Sequence, residues 1–98
     1  MPRTLTVSRA AVDPAAEREY LEAVSALARL SEGRGRRLWV FRAAGVPGRF
    51  LECSESPSVE EHRARARLDP EEARLERRVR ELATYEDGAW DLWQEVRV

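Results

Sequence analysis

A chain of 98 residues has the length of a single domain, and with 43 % apolar and 36 % charged residues it is a globular sequence with a heavily charged surface, not a disordered tail. All 17 basic residues are arginine, yet the formal net charge is -1, so there is no basic excess to drive counterion release, and a nucleic-acid partner is not expected. The single cysteine, Cys53, excludes an intrachain disulfide; no apolar run approaches the ~18 residues that span a bilayer, and the opening segment lacks the apolar core of a signal peptide, so one cytoplasmic domain over residues 1–98 with no membrane partner is expected.

Thr4 to Arg9 alternates Leu5 and Val7 with Thr4, Thr6 and Ser8, the period of a first strand. Asp13-Pro14 supplies an N-cap followed by proline, and Tyr20, Leu21, Val24, Leu27 and Ala28 recur at helical spacing until Gly33. The unbroken apolar run Leu38-Trp39-Val40-Phe41 predicts a second strand covered on both faces and therefore central in its sheet. Pro47-Gly48 suits a type II turn that returns the chain through a third strand, Phe50 to Ser54. Ser58 with Glu61 forms a capping-box pattern, and Asp69-Pro70 repeats the first helix's start signal, which predicts a second helical region broken near Leu68, with Leu75, Val79 and Leu82 as its apolar stripe. Tyr85 to Gly88 is expected as the exit loop. A fourth strand then places Trp90, Leu92, Val96 and Val98 on one face and Asp91, Trp93, Glu95 and Arg97 on the other.

The order strand, helix, strand, strand, helix, strand is an α+β, ferredoxin-like βαββαβ arrangement with a four-stranded antiparallel sheet, a fold that hosts many functions. One cysteine cannot hold an iron-sulfur cluster. One histidine, His62, with no Glu-x-x-His spacing cannot build a catalytic metal site, and Gly33 and Gly35 make no phosphate loop, so neither metal nor cofactor is expected. RNA-binding domains of this topology stack bases on aromatic residues of strands one and three, where this chain offers Phe50 alone.

One stretch resembles the antibiotic biosynthesis monooxygenase family of the dimeric α/β-barrel superfamily. Members often carry a glutamate near an aromatic residue at the end of strand three, then a polar turn, a helix start and a histidine; Glu52, Cys53, Ser58, Val59 and His62 stand at those places. The haem-degrading branch places an asparagine on strand one, and this chain contains none. The resemblance implies a homodimer with two sheets packed face to face and a pocket in each subunit between sheet and helices. Some members oxidise quinols or polyketide-like aromatics without metal or flavin, and others have no known activity.

Within that frame His62 is the candidate base or hydrogen-bond donor to a phenolic ligand, against the plainer reading of a surface histidine between Glu61 and Arg63. Trp39, Phe41, Tyr85 and Trp90 are candidates for the walls of a flat aromatic site, although such side chains are more often core. Trp93, sharing its strand face with three charged residues, is expected at the dimer interface, a pocket mouth or in solvent. Cys53 reads as a structural thiol, and Arg34, Arg36 and Arg37 as solvated cations at a helix C-terminus. The expectation is a homodimer that binds a small aromatic ligand and resembles cofactor-independent monooxygenases; the rival is a non-catalytic metabolite-binding or protein-interaction dimer. Catalysis itself stays open at this point. An interior filled by Trp39, Phe41 and Trp90 favours the rival, and a cavity bordered by His62 and Tyr85 favours a ligand.

Overall fold

The computed structural model describes residues 3–65 and 69–98. Strand β1 (Thr4–Ala11) leads through a short 3-10 turn (Pro14–Ala16) into helix α1 (Glu17–Glu32), followed by the hairpin of β2 (Arg37–Arg42) and β3 (Arg49–Ser56). Helices α2 (Val59–Arg65) and α3 (Pro70–Leu82) follow, and two short strands, β4 (Thr84–Tyr85) and β5 (Trp93–Gln94), complete the sheet. The sheet is antiparallel in the order β2-β3-β1-β4, with β5 also paired to β1, and the helices lie against one side of it: the α+β, ferredoxin-like plan.

Local chemistry sets the boundaries. The Asp13 carboxylate accepts from the Ala15 N–H, and Asp69 accepts from the Glu71 and Glu72 N–H groups, so each Asp-Pro pair does start a helical segment. The Ser58 hydroxyl accepts from the Glu61 N–H at 3.1 Å, which caps α2. The helical break expected near Leu68 falls on a residue outside those described. In the hairpin, Gly48 has φ +76, and a Cβ there would lie 2.6 Å from the Val12 carbonyl oxygen, so only glycine passes. The Gly48 carbonyl in turn accepts from the Val12 N–H at 2.8 Å, which ties the turn to the end of β1.

Two expectations change. Strand β2 is an edge strand, not a central one. Its apolar run serves two surfaces: Leu38 and Val40 pack on the core beneath the helices, while Trp39 and Phe41 alternate onto the opposite, helix-free side of the sheet. The fourth strand is divided, and Tyr85, expected in a loop, is paired with Ala10 in β4. The ladder is interrupted because the chain turns inward between β4 and β5: Gly88 adopts φ +79, and the carbonyl of buried Ala89 accepts the Ser8 hydroxyl. A side chain of β1 thus takes the partner that a backbone group would have had, and Trp90 is set in the turn.

The register defines both faces. Thr6–Ser54–Leu38 and Ser8–Glu52–Val40 form rows facing the helices, and Leu5–Glu55–Arg37 and Val7–Cys53–Trp39 form rows on the other side. On β1 the hydroxyl-bearing residues are therefore the buried ones, while Leu5 and Val7 are half-exposed. Tyr20, Val24, Leu27 and Ser31 of α1 and Val79 of α3 close over the inner face, with Tyr20 wholly buried against Phe50 at 5.0 Å between ring centroids. Among the described residues, no helix is long and apolar enough to cross a membrane.

Candidate functional site

The hydroxyl-lined side of the sheet does not fill its space. A cavity of about 160 Å3 lies between it and the helices, with Thr6, Ser8, Leu38, Glu52 and Ser54 on the sheet side and Val24, Leu27, Ser31, Glu76 and Val79 on the helix side. His62 and Tyr85 border it, and Trp90 and Arg80 stand at its edge. Trp90 is half exposed; its ring lies 5.0 Å from that of Tyr85 and 4.5 Å beneath the Arg80 guanidinium.

Glu52 organises the chemistry. It projects from β3 onto the inner face because it shares alternation with Phe50, a core residue. One of its oxygens, Oε2, accepts two phenolic hydrogen bonds, from Tyr20 of α1 at 2.6 Å and from Tyr85 of β4 at 2.8 Å. Burial pushes the Glu52 carboxyl above the usual value of 4.5, and the two tyrosine donors and the Arg80 charge offset that only in part. Burial, with the neighbouring carboxylate, also holds both phenols well above their ordinary 10.0, so they remain donors throughout the physiological range.

Two hydroxyls that line the cavity from β1 are already engaged. Thr6 donates to Ser54 at 3.2 Å and Ser8 donates to the Ala89 carbonyl. His62 of α2 lies half-buried, its Nδ1 3.5 Å from the Ser56 hydroxyl oxygen. Behind the site, Glu72 of α3 takes a two-pronged contact from Arg36 at 2.7 and 2.8 Å and faces the Ser31 hydroxyl at 3.4 Å, which joins the ends of α1 and α3. Among the described residues, no three His, Cys, Asp or Glu side chains gather to hold a metal ion.

The fold brings together three of the aromatic and basic candidates, His62, Tyr85 and Trp90, at one cavity. It places Trp39 and Phe41 elsewhere, because they occupy the alternate positions of β2 and so stand on the far side of the sheet. Trp93, paired with Leu5, is on that far side too and is 59 % exposed. Cys53 also faces away from the cavity, between Val7 and Trp39, and burial raises its thiol above the ordinary 9.0. Of the arginines after α1, Arg36 is buried on Glu72, Arg34 pairs with Asp69, and Arg37 lies 4.8 Å over the Trp39 ring. The residues that sequence reasoning passed over are Arg80 and the Glu52 carboxylate as a site group. A signal for Glu52 exists: period-2 alternation from Phe50 puts it on the core side, where an acid is costly unless it has a task or a partner.

No protein-family model matches the chain, and no curated protein matches it by sequence. Solved structures do share its fold end to end. A Bacteroides thetaiotaomicron VPI-5482 protein of unknown function, described as a possible oxidoreductase, superposes with a TM-score of 0.82 at 16 % identity, over 96 % of this chain and 98 % of its own. SnoaB, a cofactor-independent oxygenase from Streptomyces nogalater, does so at 0.72 and 18 % identity, over 100 % of this chain and 97 % of its own. A Bordetella bronchiseptica protein carrying the antibiotic biosynthesis monooxygenase designation gives 0.72 and 17 % identity, over 100 % and 99 %. This chain shares the fold of these three proteins. The likeness read from Glu52, Ser58 and His62 is met at the level of architecture, and within that monooxygenase-like fold the cavity lies between sheet and helices.

Proposed function

We propose that the chain forms a homodimer that binds a planar, electron-rich phenol or quinol and oxidises it with dioxygen, without a cofactor. The observation that carries this reading is the cavity bordered by His62 and Tyr85, in place of an interior filled by aromatic side chains. On its helix side Val24, Leu27 and Val79 suit a ring face, beside the polar Ser31, Glu76 and Arg80, and its sheet side is polar, which suits ring hydroxyls. The oxygenase described for SnoaB works without a cofactor, and its fold is the one described here.

In the proposed reaction His62 takes the phenolic proton, leaving an anion whose charge extends to a ring carbon. That anion passes one electron to dioxygen, and the resulting pair joins through a new carbon–oxygen bond to give a hydroperoxide. Loss of the proton on that carbon, with cleavage of the oxygen–oxygen bond, leaves a carbonyl on the ring and releases the other oxygen as water. Substrate loses two hydrogens, gains one oxygen atom and is oxidised; dioxygen is the only oxidant. Val24, Leu27 and Val79 keep water from the anion while it reacts.

Dimerisation is supported by the helix-free side of the sheet, where Leu5, Val7, Trp39, Leu51 and Trp93 form an apolar surface that one protomer leaves open. The test is oxygen consumption over a small quinol panel, corrected for autoxidation at the same pH. Parent protein is expected to consume oxygen with at least one quinol, and His62→Ala to lower that rate ~100-fold while the fold persists. Equal rates in both proteins would remove His62 as the base. No protein-dependent uptake with any quinol would turn the reading to a non-catalytic binder.

A further inference from the structure

We propose that the cavity is specific for ligands of a single aromatic ring carrying a hydroxyl, and that the Glu52 Oε1 atom is the acceptor for that hydroxyl. This rests on the reading of the cavity as a ligand site, and it adds the size of the ligand and the group that orients it. Size comes first. In another protein an engineered apolar cavity of about 150 Å3 holds one benzene molecule. The space here, about 160 Å3, matches one ring and its substituents.

Orientation follows from an accounting of hydrogen bonds. On the sheet side, Thr6 is bonded to Ser54, Ser8 to the Ala89 carbonyl, and Glu52 Oε2 to both Tyr20 and Tyr85. Glu52 Oε1 has no donor among the described residues, although Glu52 lines the cavity. A carboxylate oxygen that faces open space without a protein donor takes its donor from whatever fills that space, and a bond to a charged acceptor is about twice as strong as a neutral one. The ligand atom facing it must therefore donate. The same carboxylate already receives two phenols from the protein, at 2.6 and 2.8 Å, so a phenolic hydroxyl from the ligand would add a third group of the same kind. Across the space the aliphatic side chains of Val24, Leu27 and Val79 suit the ring face, while Ser31, His62 and Glu76, which also line it, offer partners for a second hydroxyl.

The test is calorimetric titration of the protein under nitrogen with hydroquinone, with its dimethyl ether, which has the same ring and no donor, and with a three-ring anthracene diol. Hydroquinone is expected to bind saturably, roughly 10-fold or more tighter than the ether, the scale of one hydrogen bond to a charged group, and the anthracene diol is expected not to bind. In Glu52→Gln, Tyr20 and Tyr85 hold the amide carbonyl and turn the NH2 toward the cavity, so a donor would face a donor and the preference for hydroquinone over its ether should vanish. Tight binding of the anthracene diol, or a preference retained in Glu52→Gln, would overturn the proposal. Should the variant fail to fold, as judged by circular dichroism, the parent's discrimination by ring number and by diol against ether still decides it. Hydroquinone binding of the expected pattern without oxygen uptake would uphold this proposal and retire the oxidation step. Absence of binding by all three would overturn both this proposal and the ligand reading beneath it.

Discussion

Glu52 carries an energetic consequence at the scale of a single residue. Its buried carboxyl titrates above the ordinary 4.5, so between that value and the raised one the folded chain keeps a proton that the unfolded chain has lost. The stability contributed by the neutral acid is complete below the ordinary value and is lost as pH rises through the raised one. Glu52→Gln removes this dependence, and urea unfolding of parent and variant in parallel should show the variant gaining relative stability from about pH 4.5 upward. Curves that stay parallel would show that burial does not perturb this carboxyl. The role of Glu52 was only half legible beforehand: alternation gives the two sides of β3, but which side lies under helices is decided by tertiary packing. The same gap separates Tyr85 and Trp90, which reach the cavity, from Trp39 and Phe41, which do not. It also hid the fact that Thr4, Thr6 and Ser8, and not Leu5 and Val7, are the residues of β1 that face inward.

Between elements, the contact that holds α1 to α3 is an ion pair, not an aliphatic seam alone. Arg36 and Glu72 have side chains only 12 % and 3 % exposed, with Ser31 alongside. Removing one partner leaves the other charge buried without compensation, so Glu72→Ala should cost about 3 to 5 kcal/mol, a large share of the roughly 5 to 15 kcal/mol of a domain this size. A similar-volume apolar replacement of both members should cost much less, because no lone charge remains. Chemical denaturation of the single and double variants checks this, and equal losses in the two would refute the account. Helix starts were readable, since Asp13-Pro14 and Asp69-Pro70 act through local hydrogen bonds that need no tertiary partner. The division of the last strand was not, because it depends on a long-range bond from Ser8 to the Ala89 carbonyl. Arg36 was read as solvated for a related reason: its partner lies 36 positions away on another helix.

For the whole molecule, the two-sided sheet sets the expected assembly. Helices cover the face that holds the cavity, and the other presents Leu5, Val7, Trp39 and Leu51, with Phe41 and Trp93 at 55 % and 59 % exposure. Light scattering at micromolar concentration should return a dimer mass, and Trp93→Asp should shift the equilibrium toward monomer by placing a charge on that apolar face. A monomer mass for the parent protein would contradict the dimer, and unchanged association in the variant would take Trp93 out of the interface. The strand and helix order made this fold legible from sequence; the place of β2 was not, because its apolar run serves an edge strand, with Leu38 and Val40 on the core and Trp39 and Phe41 on the open side. The central claim concerns what happens to a ligand on the covered side. The most direct measurement is the mass spectrum of the product formed from a quinol under isotope-labelled dioxygen. The account predicts a product that has gained one labelled oxygen atom, formed in proportion to the protein added. Recovery of a quinone without the label, together with hydrogen peroxide at the rate of the protein-free control, would contradict it.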